Sequence, residues 1–505
     1  MKPRTWMWMP VVSLFAALAM PVGIAAQDNP SQDHKTKHQK YKLIDMGTLG
    51  GPNSVIPAPP FGTELTNGGS AIAEADTATP DPYAPNCLQG SCLVNHGFRW
   101  KEGVKTDLGA LPGVNSSFPN ATNERGQTVG GSENGLLDPL TGFPEFRAVL
   151  WQRGKVIDLG TFGGSNSIAN SLNSGGQVVG GAQNAIPDSF GFCNQPFVPV
   201  YPTQVHAFSW QQGVMRDLGT LGGDDSCALY VNEQGQVAGF SYTNSIPNPN
   251  TGIPTLDPFL WERGKMKDLG TLGGAFAYPN WLNNRGQIVG QSDMAGDATA
   301  HPFFWDRGVL TDIGTLGGDN GTANWINEAG QVVGTADLAD GTHHAFVWWK
   351  GKKMTDLGTI DGDGCSNGLY VNSSGQTVGT STNCHGTILH TFLWEHGSMI
   401  DLGARIQPGS ELTFTEPFVI NDRGEIAGNG VLTNGDVHAA LLIPDGDCDD
   451  DCEGRIAASQ NNAAPAQSPA TMKQGSESPA NRVDQLRNRL GRRYHTPGQP
   501  AAPRD

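Results

Sequence analysis

Eight times between Tyr41 and Pro444 the chain returns to variants of three phrases, D-L-G-T-L-G-G, N-x-x-G-Q-V-V-G and H-A-F-x-W-x-x-G, so its fold must present one unit eight times. The copy from Thr311 to Gly351 reads TDIGTLGGDNGTANWINEAGQVVGTADLADGTHHAFVWWKG. Its apolar residues come in short β-branched or aromatic runs broken by Gly and Asn, with no helical spacing. The pattern predicts four strands, Thr322–Asn327, Gly330–Ala336, Ala345–Trp349 and Lys353–Gly358. The turns N-E-A-G and W-W-K-G join the first pair and the last pair. Each places Gly where a type I turn followed by a left-handed residue needs positive φ.

The Asp of D-[LI]-G marks the copies at Asp45, Asp107, Asp158, Asp217, Asp268, Asp312, Asp356 and Asp401, and the last four lie 44 or 45 residues apart. Four strands in such a period are the signature of a β-propeller blade, and eight Asp give eight blades. Seven is the alternative if the degenerate first or last copy forms no full blade. The repeats open on a lone D-L-G strand (residues 41–47) and end on a lone H-A-F strand (residues 438–444). Pairing the two would close the ring and remove its free edges.

Outside residues 41–446 the composition changes. Lys2 and Arg4 precede the apolar run Val11–Ala19, and Gly23, Ala25 and Ala26 supply small residues, the pattern of a secretory signal peptide over residues 1–26. The run is too short to span a bilayer, so no transmembrane anchor is expected after cleavage. Residues 27–40 read as a polar leader. Residues 447–505 read as an acidic, Cys-containing segment and a tail rich in Ala, Pro, Ser, Gln and Asn, expected to be disordered, with one short basic helix over residues 481–494.

Charge follows the same boundaries. The formal total is −17, with +3 on residues 1–40 and +5 on residues 455–505, which leaves −25 on residues 41–454. That argues against nucleic acid as a partner. A cation, a cationic protein or a neutral glycan is electrostatically compatible.

In an exported chain eight Cys suggest disulfides. If the N-x-x-G and W-x-x-G turns share one face, strand direction puts Cys193 and Cys227 in loops of neighbouring blades on the other face, and Cys365 and Cys384 in one blade. Cys87 with Cys92 and Cys448 with Cys452 are local pairs, zinc being the rival reading of the last.

His206-Ala207-Phe208 and His344-Ala345-Phe346, with their D-L-G-T-L-G-G and G-Q-V-V-G companions, resemble the HAF family of extracellular bacterial repeats across all eight copies. The chain departs from that pattern at Arg147 and Asp257, which replace the His, and at His438-Ala439-Ala440. The resemblance implies an exported repeat protein and adds no catalytic residue.

A residue repeated in every blade serves architecture, because an asymmetric ligand needs an asymmetric site. The Asp of D-L-G is expected to bond backbone near the W-x-x-G turn. Trp100, Trp151, Trp210, Trp261, Trp305, Trp348 and Trp394 are expected to pack between blades. Equivalent His residues should stand about 10 Å or more apart, the sheet stacking distance, too far to share a metal through bonds of about 2 Å.

Function is therefore expected where the repeat is broken. From the last Gly of G-Q-V-V-G to the H-A-F His position, copies five to eight need 10 or 11 residues, whereas copies two, three and four need 17, 26 and 18, and copy one 23. These loops carry Tyr83, Phe143, Phe190, Phe192, Phe197, Tyr201 and Tyr242 among many Pro, a composition suited to glycan or peptide binding. The competing reading is that the rings cover their own loops. Acids concentrate on the same face at Asp224, Asp225, Asp319, Asp361 and Asp363. Calcium is the ion they would suit, although no run matches an EF-hand, and a solvated acidic rim is the alternative. Tyr83, Phe190, Phe192, Tyr201, Tyr242, Asp224 and Asp225 are the candidate ligand contacts; no catalytic residue, metal ligand or cofactor is assigned. Two functions remain: an extracellular binding or scaffold module for a glycan or protein, and a propeller polysaccharide hydrolase or lyase. The second needs two carboxylates about 5 to 10 Å apart, and no motif marks such a pair.

Overall fold

The repeat unit folds as an antiparallel sheet of four short strands, and it does so eight times. The computed structural model describes residues 40–57, 63–191, 193 and 201–445. The expected signal peptide, nearly all of the leader, the Cys448 and Cys452 pair and the tail lie outside them. Sheet 1 is Gly50–Val55, Ser70–Pro80, Leu93–Lys101 and Val104–Asp107. Sheet 2 is Ser117–Thr122, Thr128–Leu137, Pro144–Gln152 and Lys155–Asp158. Sheet 3 is Gly163–Leu172, Val178–Gly191, Tyr201–Gln211 and Val214–Asp217, and sheet 4 is Ser226–Val231, Val237–Tyr242, Leu256–Glu262 and Lys265–Asp268. Sheet 5 runs from Gly273–Leu282 to Val309–Asp312, joined to sheet 4 through one parallel pair, Leu256 with Phe276. Sheet 6 runs from Gly317–Ile326 to Thr355–Asp356, and sheet 7 from Cys365–Val371 to Ser398–Asp401.

Sheet 8 is completed by the opposite end of the chain. Its own strands are Leu412–Ile420, Ile426–Leu432 and Val437–Pro444, and Tyr41–Asp45 pairs with the last, from Tyr41 against Pro444 to Asp45 against Ala440. The terminal pairing expected from the sequence is present.

Sheet 6 shows where the local reading was short. Its first strand begins at Gly317, five residues before Thr322, because the Gly-rich phrase itself pairs, Gly317 with Leu338. Glycine is required there: a Cβ on Gly318 would stand 2.4 Å from the Leu338 carbonyl oxygen. The fourth strand shrinks to Thr355–Asp356, since the W-W-K-G turn is followed by one residue more than the other copies have. The turn chemistry divides likewise. Gly330 has φ +89°, as a four-residue N-x-x-G turn with a left-handed end needs. In the W-x-x-G turns of the other sheets both central residues have positive φ, for example Arg307 at +51° and Gly308 at +93°, so these are two-residue type I′ hairpins.

Successive sheets are bonded by the repeated polar residues. The Asn of N-x-x-G donates its Nδ2 to the carbonyl of the same Asn one sheet on, from Asn123 to Asn173 and then to Asn232, Asn283, Asn327, Asn372 and Asn421, at 2.8 to 3.1 Å. Asn421 donates in turn to Thr66 of sheet 1 at 3.0 Å, and Thr63 and Thr122 link sheet 1 to sheet 2. In seven sheets the first strand carries a β-bulge near its end, and at four of these the extra residue is another Asn (120, 170, 280, 324) that reaches a carbonyl of the next sheet. The neighbouring positions Tyr230, Trp281, Trp325 and Tyr370 touch in series across sheets 4 to 7, edge-on, stacked and tilted in turn, with centroids 5.0, 3.5 and 3.8 Å apart. The core lies in the seams between sheets, where Phe98, Phe208, Phe259, Phe303, Phe346 and Phe392 are fully buried. The motif Trp residues lie in these seams too, and Trp151 donates its indole N–H across one of them to the Gly109 carbonyl.

The Asp of D-L-G bonds its own phrase, not the W-x-x-G turn: its Oδ1 accepts the N–H of the Gly two residues on, as at Asp312 and Gly314, 2.7 Å. The same carboxylate holds Nδ1 of the H-A-F His, at 3.1 Å for His96 and Asp107, 2.7 Å for His206 and Asp217, 3.0 Å for His301 and Asp312, 2.8 Å for His344 and Asp356, and 2.9 Å for His438 and Asp45. In sheet 7 His390 turns instead to Asp363.

Candidate functional site

The four enlarged connections all join the second and third strands of sheets 1 to 4, so they issue from equivalent ends of consecutive sheets. Much of the added length is taken up by longer hairpins. The second strands of sheets 1, 2 and 3 extend to Pro80, Leu137 and Gly191, beyond the His–Asp pair. Three disulfides sit at this end and match the expected pairings: Cys87–Cys92 clips the 81–92 loop, Cys193–Cys227 ties sheet 3 to sheet 4, and Cys365–Cys384 lies within sheet 7.

The candidate contacts have different surroundings. Tyr83 is half-buried in the 81–92 loop, where Asp81 accepts its backbone N–H at 2.8 Å. Its hydroxyl is pushed up by burial, then by the charges of Glu133 and Asp81. Phe190 packs against the core of sheets 2 to 5, and its carbonyl accepts the Tyr242 hydroxyl at 3.2 Å. Tyr242 is 2% exposed, so any part it takes toward a ligand is as a support beneath Phe190. Asp224 accepts from Gln204 at 3.2 Å. Phe192 and the side chain of Tyr201 lie outside the described residues.

Asp225 is buried, and its Oδ1 accepts the Val205 N–H at 2.7 Å. That bond is repeated elsewhere with neutral side chains, by Asn166 for Phe146 and by Asn320 for Ala300. The carboxyl therefore adds charge where an amide suffices. Its Oδ2 has no donor, and burial followed by the charges of Asp188 and Asp224 pushes it up to about 8. Asp257, at the His position of sheet 4, faces Asp268; burial and then that neighbour push it up to about 7, and its Oδ1 has no donor.

Sequence reasoning missed the residue with the most pointed environment. Glu133 lies on the second strand of sheet 2, in the place Gln183 takes in sheet 3. Its Oε2 accepts the Ser116 N–H at 2.7 Å, as Gln183 Oε1 accepts that of Asn166 at 2.9 Å. Glu133 is 1% exposed, its Oε1 has no partner, and burial and then Asp81 push the group up to about 7. It lines a pocket of about 190 Å³ between the loops of sheets 1 and 2, formed with Pro85, Cys87 and Leu88 on one side and Phe143, Pro144 and Phe146 on the other. The letter alone gave little signal, because acids also hold this point of the repeat at Asp76, Asp293 and Asp337.

Large apolar side chains are exposed at the tips of these hairpins. Leu136, Leu137 and Leu140 in sheet 2, Ile186 in sheet 3 and Ile246 in sheet 4 are each more than half exposed. Val104, Val214 and Val309, also exposed, are one repeated position after the W-x-x-G turn.

No family model matches the chain, and no curated protein matches it. Among solved structures it is similar to an acylaminoacyl peptidase of Pyrococcus horikoshii, at 13% identity and a TM-score of 0.34, over 77% of this chain and 59% of that one. It thus spans under two thirds of the peptidase. It is similar to TolB from Acinetobacter baumannii at 10% identity and a TM-score of 0.30, over 66% of this chain and 79% of that one. The BP39L lectin from Burkholderia pseudomallei matches at 10% identity and a TM-score of 0.28, over 80% of this chain and 99% of that one. At such scores and identities these likenesses carry no functional weight, and what they leave in hand is a chain of eight four-stranded antiparallel sheets.

Proposed function

We propose that this chain is an exported eight-bladed β-propeller that binds another extracellular protein through the enlarged loops of sheets 1 to 4. The order of the sheets, the pairing of residues 41–45 with residues 440–444 and the bond from Asn421 back to Thr66 support the ring. The secretory pattern at residues 1–26 and three disulfides support export.

The observation that carries the binding role is the set of exposed aliphatic tips, Leu136, Leu137, Leu140, Ile186 and Ile246. Exposed apolar side chains gathered on neighbouring loops mark interaction surfaces, whereas single ones are ordinary. Aliphatic tips suit a protein partner better than a glycan, whose rings stack on aromatic faces. The domain beneath is rigid and stapled, so little ordering cost accompanies binding.

The test replaces the exposed tips Leu136, Leu137, Leu140, Ile186 and Ile246 with Ser, which leaves the Cys193–Cys227 disulfide in place, and screens both chains against a panel of surface proteins and a glycan array. Protein hits shown by the parent and lost by the tip-replaced chain, with equal melting curves, are the expected result. Hits confined to glycans, or protein hits unaffected by the replacement, would overturn the reading.

A further inference from the structure

We propose that the pocket between the loops of sheets 1 and 2 takes a primary alkylammonium group, in practice a lysine side chain of the partner, with Glu133 as its counter-charge. The inference rests on the protein-binding reading above and adds to it the chemistry of one contact.

The lining supplies the first argument. The lining is mixed, with Pro85, Leu88, Phe143, Pro144 and Phe146 beside Asn86, and Glu133 is the one ionisable group in it. A slender aliphatic stem ending in a charge fits such a lining. A sugar would bring hydroxyls on several sides, for which Asn86 is the one neutral side-chain amide in the lining.

The second argument is the unused oxygen. Glu133 spends Oε2 on the Ser116 N–H and leaves Oε1, within a nearly inaccessible side chain, with no donor. A buried acceptor without a donor is uncommon, and a carboxylate is best satisfied by a cation that donates hydrogen bonds. Asp81 stands close enough to raise Glu133 further, so negative charge accumulates there. An arriving ammonium would meet Glu133, with the charge of Asp81 behind it.

The third argument is comparison within the chain. Gln183 performs the same backbone bond in sheet 3 without a charge. An amide thus suffices for that bond, and although Asp76, Asp293 and Asp337 hold the same position in sheets 1, 5 and 6, Glu133 lines the pocket with an unpartnered oxygen. Its strand continues directly to Leu136 and Leu137, so a partner resting on those tips would place a lysine at the pocket mouth.

The experiment uses the full secreted chain and three probes of equal length: n-butylamine, 1-butanol and butyrate. Saturation-transfer NMR at pH 8, where Glu133 is ionised, should detect millimolar binding of butylammonium and neither of the others. Glu133→Gln keeps the Ser116 bond, as Gln183 does for Asn166, and so should fold with an unchanged melting curve while weakening butylammonium by about tenfold or more, the loss expected for one charge-assisted hydrogen bond. Equal binding of butanol, unchanged binding in the Gln variant, or no butylammonium signal in the parent would each overturn the proposal. Loss of partner binding on replacing the exposed tips with Ser, with the butylamine signal absent from the parent, would sink the lysine pocket alone and leave the protein-binding reading standing.

Discussion

Sheets 5 to 8 and sheets 1 to 4 are built from the same phrases but bury different things. In sheets 5 to 8 the connections between second and third strands are short, and Glu416 alone among the described carboxyls is raised by burial. In sheets 1 to 4 the connections are long, and Glu64, Glu74, Glu133, Asp225 and Asp257 are pushed up to about 7 or 8, burial being the largest cause in each. The regular half maximises agreement between repeat and fold. The irregular half carries charge that the fold does not need, which is what a site superimposed on a scaffold looks like.

The widest test of that division asks whether architecture is common to both halves. Deleting Tyr41–Asp45 removes the fourth strand of sheet 8, together with buried Tyr41 and Ile44, and leaves an open edge. A loss of at least about 5 kcal/mol is expected from the ladder and the apolar burial. Deleting residues 455–505 should change stability by less than about 0.5 kcal/mol. Thermal denaturation of the two truncations compares them, and equal losses would refute closure by these strands.

A narrower test concerns the charge stored in sheet 4. The folded Asp225 carboxyl, at about 8, lies above its unfolded value, so its contribution to stability is full below about pH 4 and is lost as pH rises through 8. Asp225→Asn keeps the bond to Val205, as Asn166 and Asn320 do in their sheets. It should stabilise by about 2 kcal/mol at pH 8 and by little at pH 4. Denaturant titrations across that range measure the difference, and a gap that narrows as pH rises would reverse the assignment.

The smallest effect is expected at the His position. Asp257→His would recreate in sheet 4 the His–Asp pair of sheet 3, replacing two facing carboxyls by a bonded pair. Because these pairs are partly exposed, a gain of about 1 kcal/mol at pH 8 is the most to expect. An unchanged melting point would mean that Asp257 is already accommodated.

Much of the frame was legible because the repeat repeats its chemistry as well as its letters. Asp45 and His438, at opposite ends of the chain, are halves of one copy, so the terminal pairing could be read from the order of phrases. Strand direction alone brought Cys193 to Cys227. What stayed hidden depended on geometry without a letter of its own. The Gly-rich phrase reads as a loop by propensity but pairs as a strand because Gly318 lets a carbonyl come close. The bulge at Asn280 or Asn324 adds one residue that no period reveals. Glu133 stayed hidden for another reason: an acid on a strand is ordinary until its burial and its orphaned oxygen are seen.

The Asn of N-x-x-G has a consequence for how such a chain can change over generations. From sheet 2 to sheet 8 each such Asn donates in the same sense, onward to the next sheet, and from sheet 3 its own carbonyl receives from the sheet before, while Thr63 and Thr122 make the junction of sheets 1 and 2. A duplicated or deleted copy among sheets 3 to 7 would therefore find a matching neighbour on both flanks without any new residue. The number of units is not written into their mutual bonds. It is constrained where the first and last strands meet, so copy number can drift while each junction stays the same, and novelty can accumulate in the loops of whichever copies are spare.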